Sequence, residues 1–323
     1  MNAMPAPSSQ SFSKTSETAI SPARGRGSLA RICRRASILV VVLTFSAVTA
    51  IAGVGGASAA PDVGAVYAVN FYENKIDVIP TSGGSPTSIP LTPAPANVTG
   101  LVVSGGTIYM AQNLAPAPSA IVSVPVIGGT PSVLVEGLIS PQGLEVSGDK
   151  LYFIDGGPGS GVKSVPLTGG TPTTVAPLPG GGFGSYDLAI SNGRIYLPTT
   201  YGIYDVPLSG GTFQAVVPDV ETAGLDVAGG MIYYTADFAV MKVPVAGGTP
   251  TPVVENLEFP NTIKASTQNL YYRENSEIWT VPVGGGTPAV FHSPEIGSFL
   301  TFFLDSGPEP EPEPETCWGS ICP

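Results

Sequence analysis

Histidine occurs once in this chain, cysteine three times, and charged side chains make up only 11% of its 323 residues. Each scarcity excludes something. With His292 alone and no cysteine between residues 61 and 307, histidine-based and thiol-based catalytic constellations lack their materials there. After residue 60 the chain carries 7 basic against 23 acidic side chains, a formal balance of −16. Such a surface repels phosphate backbones, which bind through clustered Lys and Arg, so nucleic acid is not an expected partner. No sustained helical period appears outside the N-terminus, and 41 Gly and 34 Pro punctuate turns and break helices. At 43% hydrophobic, the chain can nevertheless bury a sizeable core.

The first 60 residues differ from the rest. Six basic residues (Lys14, Arg24, Arg26, Arg31, Arg34, Arg35) stand against one acid, Glu17. An uncharged run comes next, "ASILVVVLTFSAVTAIAGVGGASAA", ending at Ala57-Ser58-Ala59. A basic stretch, an apolar stretch and small residues at the end describe an export signal over residues 1–60, cleaved near Ala60. The alternative is an uncleaved anchor helix, because the run approaches the roughly 20 residues that span a bilayer. Both place the protein outside the cell or in the cell envelope. Membrane contact is expected only through this segment.

Beyond residue 60 the chain is repetitive. Val-Pro or Ile-Pro steps leading to a Gly-Gly pair fall at Pro80, Pro125, Pro166, Pro207, Pro244 and Pro282, at intervals of 45, 41, 41, 37 and 38. Tyr67, Tyr109, Tyr152, Tyr196, Tyr233 and Tyr271 recur in phase with them. A period near 40 with four short strands per unit predicts a β-propeller. In each unit a first strand such as "GLDV" meets a glycine turn that needs positive φ. A second strand such as "MIYY" carries the β-branched and aromatic residues suited to sheet packing. Proline beside the turn and on the outer strand costs few hydrogen bonds. The first unit, "GAVYAVNF", lacks the preceding "GL-V" strand, while "GSFLTFFLDSG" at 297–307 is one strand too many. The C-terminal strand is therefore expected to complete the N-terminal blade and close a ring of six. The expected domain spans 61–307, as an all-β monomer.

"GDKLYFIDGGPGSGVKSVPLTGG" (148–170) resembles a YWTD repeat of LDL-receptor-type propellers, with Tyr152-Phe153-Ile154-Asp155 in the motif position. "SPQGLEVSGDKLYFID" (140–155) is also similar to the NHL repeat. The likeness extends over about residues 65–307 and implies the propeller fold. Only Asp155 keeps the motif aspartate; the matching places hold Asn70, Gln112, Thr199, Ala236 and Glu274.

The turns between first and second strands, and between third and fourth, are short and glycine-rich. The other connections vary, and in a propeller the two sets alternate between faces. The variable set should therefore surround one channel mouth and carry binding. On that face we place Gln142, Asp155, Tyr186, Asp187, Glu221, Asp237, Glu258, Asn261 and Glu274. Gluconolactonase-type propellers bind a divalent cation with oxygens from several blades. By that resemblance Asp187, Asn261 and Asp155 are candidate ligands for an ion such as calcium. Asp226, Glu145 and Lys264 occupy matching places in the first strands, either lining the channel or pairing with one another. Virginiamycin-lyase-type propellers rely on histidine chemistry, which His292 on an outer strand does not support. "GGPGSGVKS" (156–164) lacks the helix a phosphate loop needs. "NVT" at Asn97 matches a glycan acceptor.

After Gly307 the sequence runs "PEPEPEPET" and "CWGSICP". Alternating Pro and Glu predicts an extended spacer over the segment 308–323. Cys317 and Cys322 are expected to form a disulfide in an export context. The expected function is non-covalent recognition of a protein, peptide or envelope glycan through the variable face, without a cofactor. The alternative is a metal-dependent lactonase-type hydrolase with its ligands at the channel mouth.

Overall fold

The computed structural model describes residues 64–70, 75–93, 97–113, 118–157, 159–178, 187–293 and 299–305. All fall in the second of two units, Ala59–Pro323. Among the described residues there are 24 strands in six four-stranded antiparallel sheets. The expected sixfold repetition is thus present as six blades. The innermost strands are Phe299–Asp305, Val98–Ser104, Pro141–Ser147, Ala189–Ser191, Leu225–Ala228 and Ile263–Ala265. Each touches the next around the ring, and the sixth touches the first.

Closure occurs as the strand surplus and deficit require. Phe299–Asp305 pairs with Ala65–Asn70 in the register Val66↔Leu304, Tyr67↔Phe303 and Ala68↔Phe302, so the last strand fills the first blade. Six apolar clusters lie between successive blades rather than in one central core. This accounts for the second strands, whose residues are buried on both faces: Ile108 to Gln112, Ile195 to Thr199 and Ile232 to Ala236 are buried without a break. A strand clamped between two sheets cannot alternate in polarity as a one-faced strand does. Toward the rim the outermost strands are exposed, as in Thr173–Pro177 and Gln214–Pro218.

The Val-Pro and Gly-Gly signature is a turn with a packing role. The proline ends each third strand, and its carbonyl accepts a hydrogen bond from the first glycine, as from Gly247 N to Pro244 O at 2.8 Å. At Gly210 φ is +91°, and a Cβ there would stand 2.6 Å from Val175 O of the preceding blade. Only glycine permits both the left-handed backbone and that approach.

Candidate functional site

The recurrent tyrosines index the channel. Across each inner hairpin they pair with Phe303, Val102, Glu145, Ala189, Asp226 and Lys264 in blade order. Half of this ring is apolar and half is charged. Phe303 and Val102 continue the interblade packing on one side. On the other, Glu145, Asp226 and Lys264 come from blades 3, 5 and 6.

Two residues before each of these positions lies a second ring: Thr301, Gly100, Gly143, Asp187, Gly224 and Thr262. Glycine is present where neighbouring inner strands almost touch. A Cβ on Gly143 would stand 3.1 Å from Asp187 Cα, and one on Gly224 would stand 2.0 Å from Asn261 O. These contacts predict that Gly224→Ala destabilises the fold by about 3 kcal/mol through overpacking against backbone. Gly229→Ala introduces left-handed strain but has open space around the new methyl, and should cost about 1 kcal/mol. Equal losses in urea denaturation would contradict the close approach.

Asp187, lying where three other blades have glycine, enters the channel and joins the charged half-ring. The Lys264 ammonium lies 3.1 and 3.2 Å from the two Asp187 carboxylate oxygens and 3.7 Å from Glu145 Oε1. Asp226 Oδ2 accepts from Ala265 N and its Oδ1 from Val227 N, both at 2.8 Å. The Lys264, Asp187 and Glu145 side chains are only 6, 13 and 17% exposed. Burial pushes the Glu145 carboxyl up to about 8; Lys264 opposes this, while Asp226 and Asp187 add to it. Asp187 and Asp226 are raised by burial too, again against the pull of Lys264. Burial disfavours the Lys264 charge, but Asp187, Asp226 and Glu145 outweigh it and hold the ammonium protonated. At neutral pH the cluster thus sets a charged ammonium against a Glu145 carboxyl that favours its proton and two aspartates whose carboxyls burial raises. Of the three residues weighed as lining the channel or pairing with one another, Lys264 pairs with Glu145 while Asp226 is held by backbone amides. The nearer partner of Lys264 is Asp187, which spacing alone did not assign to the cluster.

Above this cluster is a cavity of about 360 Å³ lined by Val98, Thr99, Asp187, Ala223, Asn261, Thr262, Arg273 and Thr301. Asn261 Oδ1 accepts from Thr262 N at 2.6 Å and from Arg273 Nε at 2.8 Å. Arg273 was not among the expected site residues. Its signal in the sequence is a single cation in "NLYYRE", a second strand otherwise built of apolar and aromatic side chains at its centre.

Asp155 lies apart from this cavity. It is 2% exposed and accepts from Ile139 N at 3.0 Å, Ser140 N at 3.2 Å and Lys163 Nζ at 2.6 Å, tying its blade to the incoming connection. Glu274 repeats the bond in the sixth blade, accepting from Glu258 N at 2.5 Å. Gln142 donates to Ser140 Oγ at 3.1 Å. The residues present do not fit a divalent cation. Both Asp187 oxygens face an ammonium, Asn261 Oδ1 is taken by two donors, and Asp155 is engaged by Lys163. Among the described residues no group of three or more His, Cys, Asp or Glu could hold a metal ion. His292 ends the outer strand of the sixth blade. Tyr186, Cys317 and Cys322 lie outside the described residues, as does the segment 1–60.

Next to the mouth, and sharing Ala223 with it, is a second cavity of about 280 Å³. It is lined by Glu221, Thr235, Ala236, Asp237, Phe238, Phe259 and Pro260. Phe238 and Phe259 are 58 and 74% exposed and meet edge to face, with ring centroids 6.1 Å apart. Tyr201, at the matching turn of the preceding blade, is 60% exposed.

No family model matches the chain, and no curated protein matches it. Solved structures do. A chain in the crystal structure of the nidogen/laminin complex aligns with a TM-score of 0.64 at 14% identity, covering 75% of this chain and 97% of that one. A gluconolactonase from Xanthomonas campestris aligns with a TM-score of 0.56 at 16% identity, covering 68% and 82%. At this level of identity what is shared is the fold, and the chain is a six-bladed β-propeller.

Proposed function

We propose that this protein is a recognition module acting outside the cytoplasm, which engages a macromolecular partner non-covalently through its variable loop face. The observation that carries this reading is the display of Tyr201, Phe238 and Phe259 on that face, each more than half exposed. Large aromatics are costly to leave in water and supply most of the contact energy at interfaces. The polar groups of the neighbouring mouth are engaged with one another, as a scaffold requires. The chain in the nidogen/laminin complex, seen with a partner protein, agrees with this use of the fold.

The test is capture of a partner from culture medium or envelope extract by photo-crosslinkers placed at Tyr201, on the loop face, and at Ile127, in a turn of the opposite face. Crosslinks from position 201 alone, lost when Phe238→Ser and Phe259→Ser are added at unchanged melting temperature, are the expected result. Equal crosslinking from both faces would defeat the reading. A metal-dependent lactonase-type hydrolase is the other reading, and it needs Asp187 and Asn261 to bind an ion. It predicts a rise in melting temperature with millimolar calcium; the recognition reading predicts none.

A further inference from the structure

Phe238 and Phe259 have φ of +61° and +55°, and the adjoining Asp237 has +49°. Bulky L-residues avoid this left-handed region, and a chain holds them there only where surrounding structure imposes it. Here the imposing contact is visible. Leu257 N donates to Phe238 O at 2.8 Å, and the Leu257 side chain is buried between the fifth and sixth blades. The turn carrying Phe238 is thereby fastened to the connection carrying Phe259, and the two rings are held against each other in solvent. The same bond recurs in the preceding blade, from Asp219 N to Tyr201 O at 3.0 Å, so the fastening belongs to the blade, and what differs here is that both residues it brings together are aromatic.

The charged side chains that line this cavity have one sign, and the nearest cation of the adjoining mouth, Arg273, donates to Asn261 Oδ1. Glu221 and Asp237 line the same cavity as the two phenylalanines, and neither has a hydrogen-bond or ion-pair partner among the described residues. Glu255 and Glu258 are exposed on the connection beside Phe259. Between residues 208 and 262 the single basic residue is Lys242, whose ammonium donates at 3.2 Å to Val283 O, in a turn of the opposite face. Aromatic faces beside unneutralised carboxylates attract a cation through both the ring quadrupole and Coulomb attraction.

Resting on the recognition reading, we infer that Phe238, Phe259, Glu221 and Asp237 form a subsite for an arginine or lysine side chain on an extended, basic segment of a partner protein. The cavity is large enough for one such side chain. Its charge complements a basic segment and disfavours an acidic one.

The test uses the full chain and a fluorescent peptide, Gly-Ser-Arg-Arg-Gly-Ser, followed by anisotropy. Controls are the same peptide with Gln or Glu in place of Arg, and a neutral oligosaccharide as competitor. The Arg peptide should bind, and the Gln and Glu peptides should not. Phe238→Ala and Phe259→Ala should each weaken binding about five- to tenfold at unchanged melting temperature, since both rings are exposed. Glu221→Gln/Asp237→Asn should weaken it by about tenfold or more, and Asp149→Asn, in a turn of the opposite face, should leave it unchanged. Affinity that falls with salt but ignores both Phe substitutions would mean diffuse attraction to an acidic surface, and would overturn the inference. So would no binding of the Arg peptide, or its displacement by the oligosaccharide. If crosslinked capture through Tyr201 persists in those cases, the recognition reading stands and only the basic-segment assignment falls.

Discussion

Ending the chain at Ser293 is expected to abolish cooperative folding and to leave the protein in large aggregates. The strand lost, Phe299–Asp305, is the inner strand of the first blade, so its removal bares the whole of Ala65–Asn70 as an open edge. It also removes Phe302 and Leu304 from the cluster that joins the sixth blade to the first, where they pack with Val66, Ala68, Ile79, Tyr271 and Ile278. A ring whose stability resides in six interblade layers cannot lose one and keep the others under the same constraint. A milder version isolates the packing. Phe302 is fully buried, and Phe302→Ala should cost about 3–5 kcal/mol, read as a lower urea midpoint at unchanged m-value. For a domain of this size that corresponds to a fall in Tm of roughly 10 °C. A truncated chain that melted cooperatively near the parent's temperature would show that the last strand does not close the ring.

Lys264→Met should be comparably damaging, by about 3–5 kcal/mol at pH 7.5, because it leaves buried carboxylates without their counter-charge. The penalty should depend on pH in a defined direction. With the ammonium gone, Asp187, Asp226 and Glu145 can stay buried only by taking up protons. The variant should therefore be closest to the parent near pH 5 and furthest from it near pH 8.5.

The parent carries a weaker trend of the same sign. The Glu145 carboxyl, ordinarily near 4.5, is raised to about 8 in the folded chain, so between those values the folded state holds more protons than the unfolded one. Stability therefore falls as pH rises through that window. Glu145→Gln presents a neutral group of the same shape throughout, so it should be near-neutral at pH 5.5 and stabilising at pH 8.5. Urea denaturation at pH 5.5, 7 and 8.5 checks both variants. A Gln variant whose stability fell with pH as steeply as the parent's would mean that Glu145 is ionised in the folded chain.

Much of the architecture was legible because it is written locally and six times over. Gly-Gly after Val-Pro specifies a turn that few other residues can make, the phased tyrosines mark the buried second strand, and a surplus strand at one end matches a deficit at the other. The site was legible only in part. Glu145, Asp226 and Lys264 stood out as charges in otherwise apolar strands, so their meeting could be anticipated. Asp187 could not be joined to them, since it is 77 residues from Lys264 and reaches it only when the fourth and sixth blades face one channel. Asp155 shows the converse. Its motif position suggested a ligand at the mouth, but Lys163 and the amides of Ile139 and Ser140 in the incoming connection already engage its oxygens.

The sequence alone therefore determined the number of blades, the manner of closure and which set of connections varies. Each of these depends on residues within one repeat or on comparing its copies. Tertiary structure alone decided that one lysine and three carboxylates share a buried cluster, and that Phe238 and Phe259 stand edge to face beside Glu221 and Asp237. Those facts are distances between repeats. They arise from the curvature that brings inner strands to a common axis, which no single stretch of chain encodes.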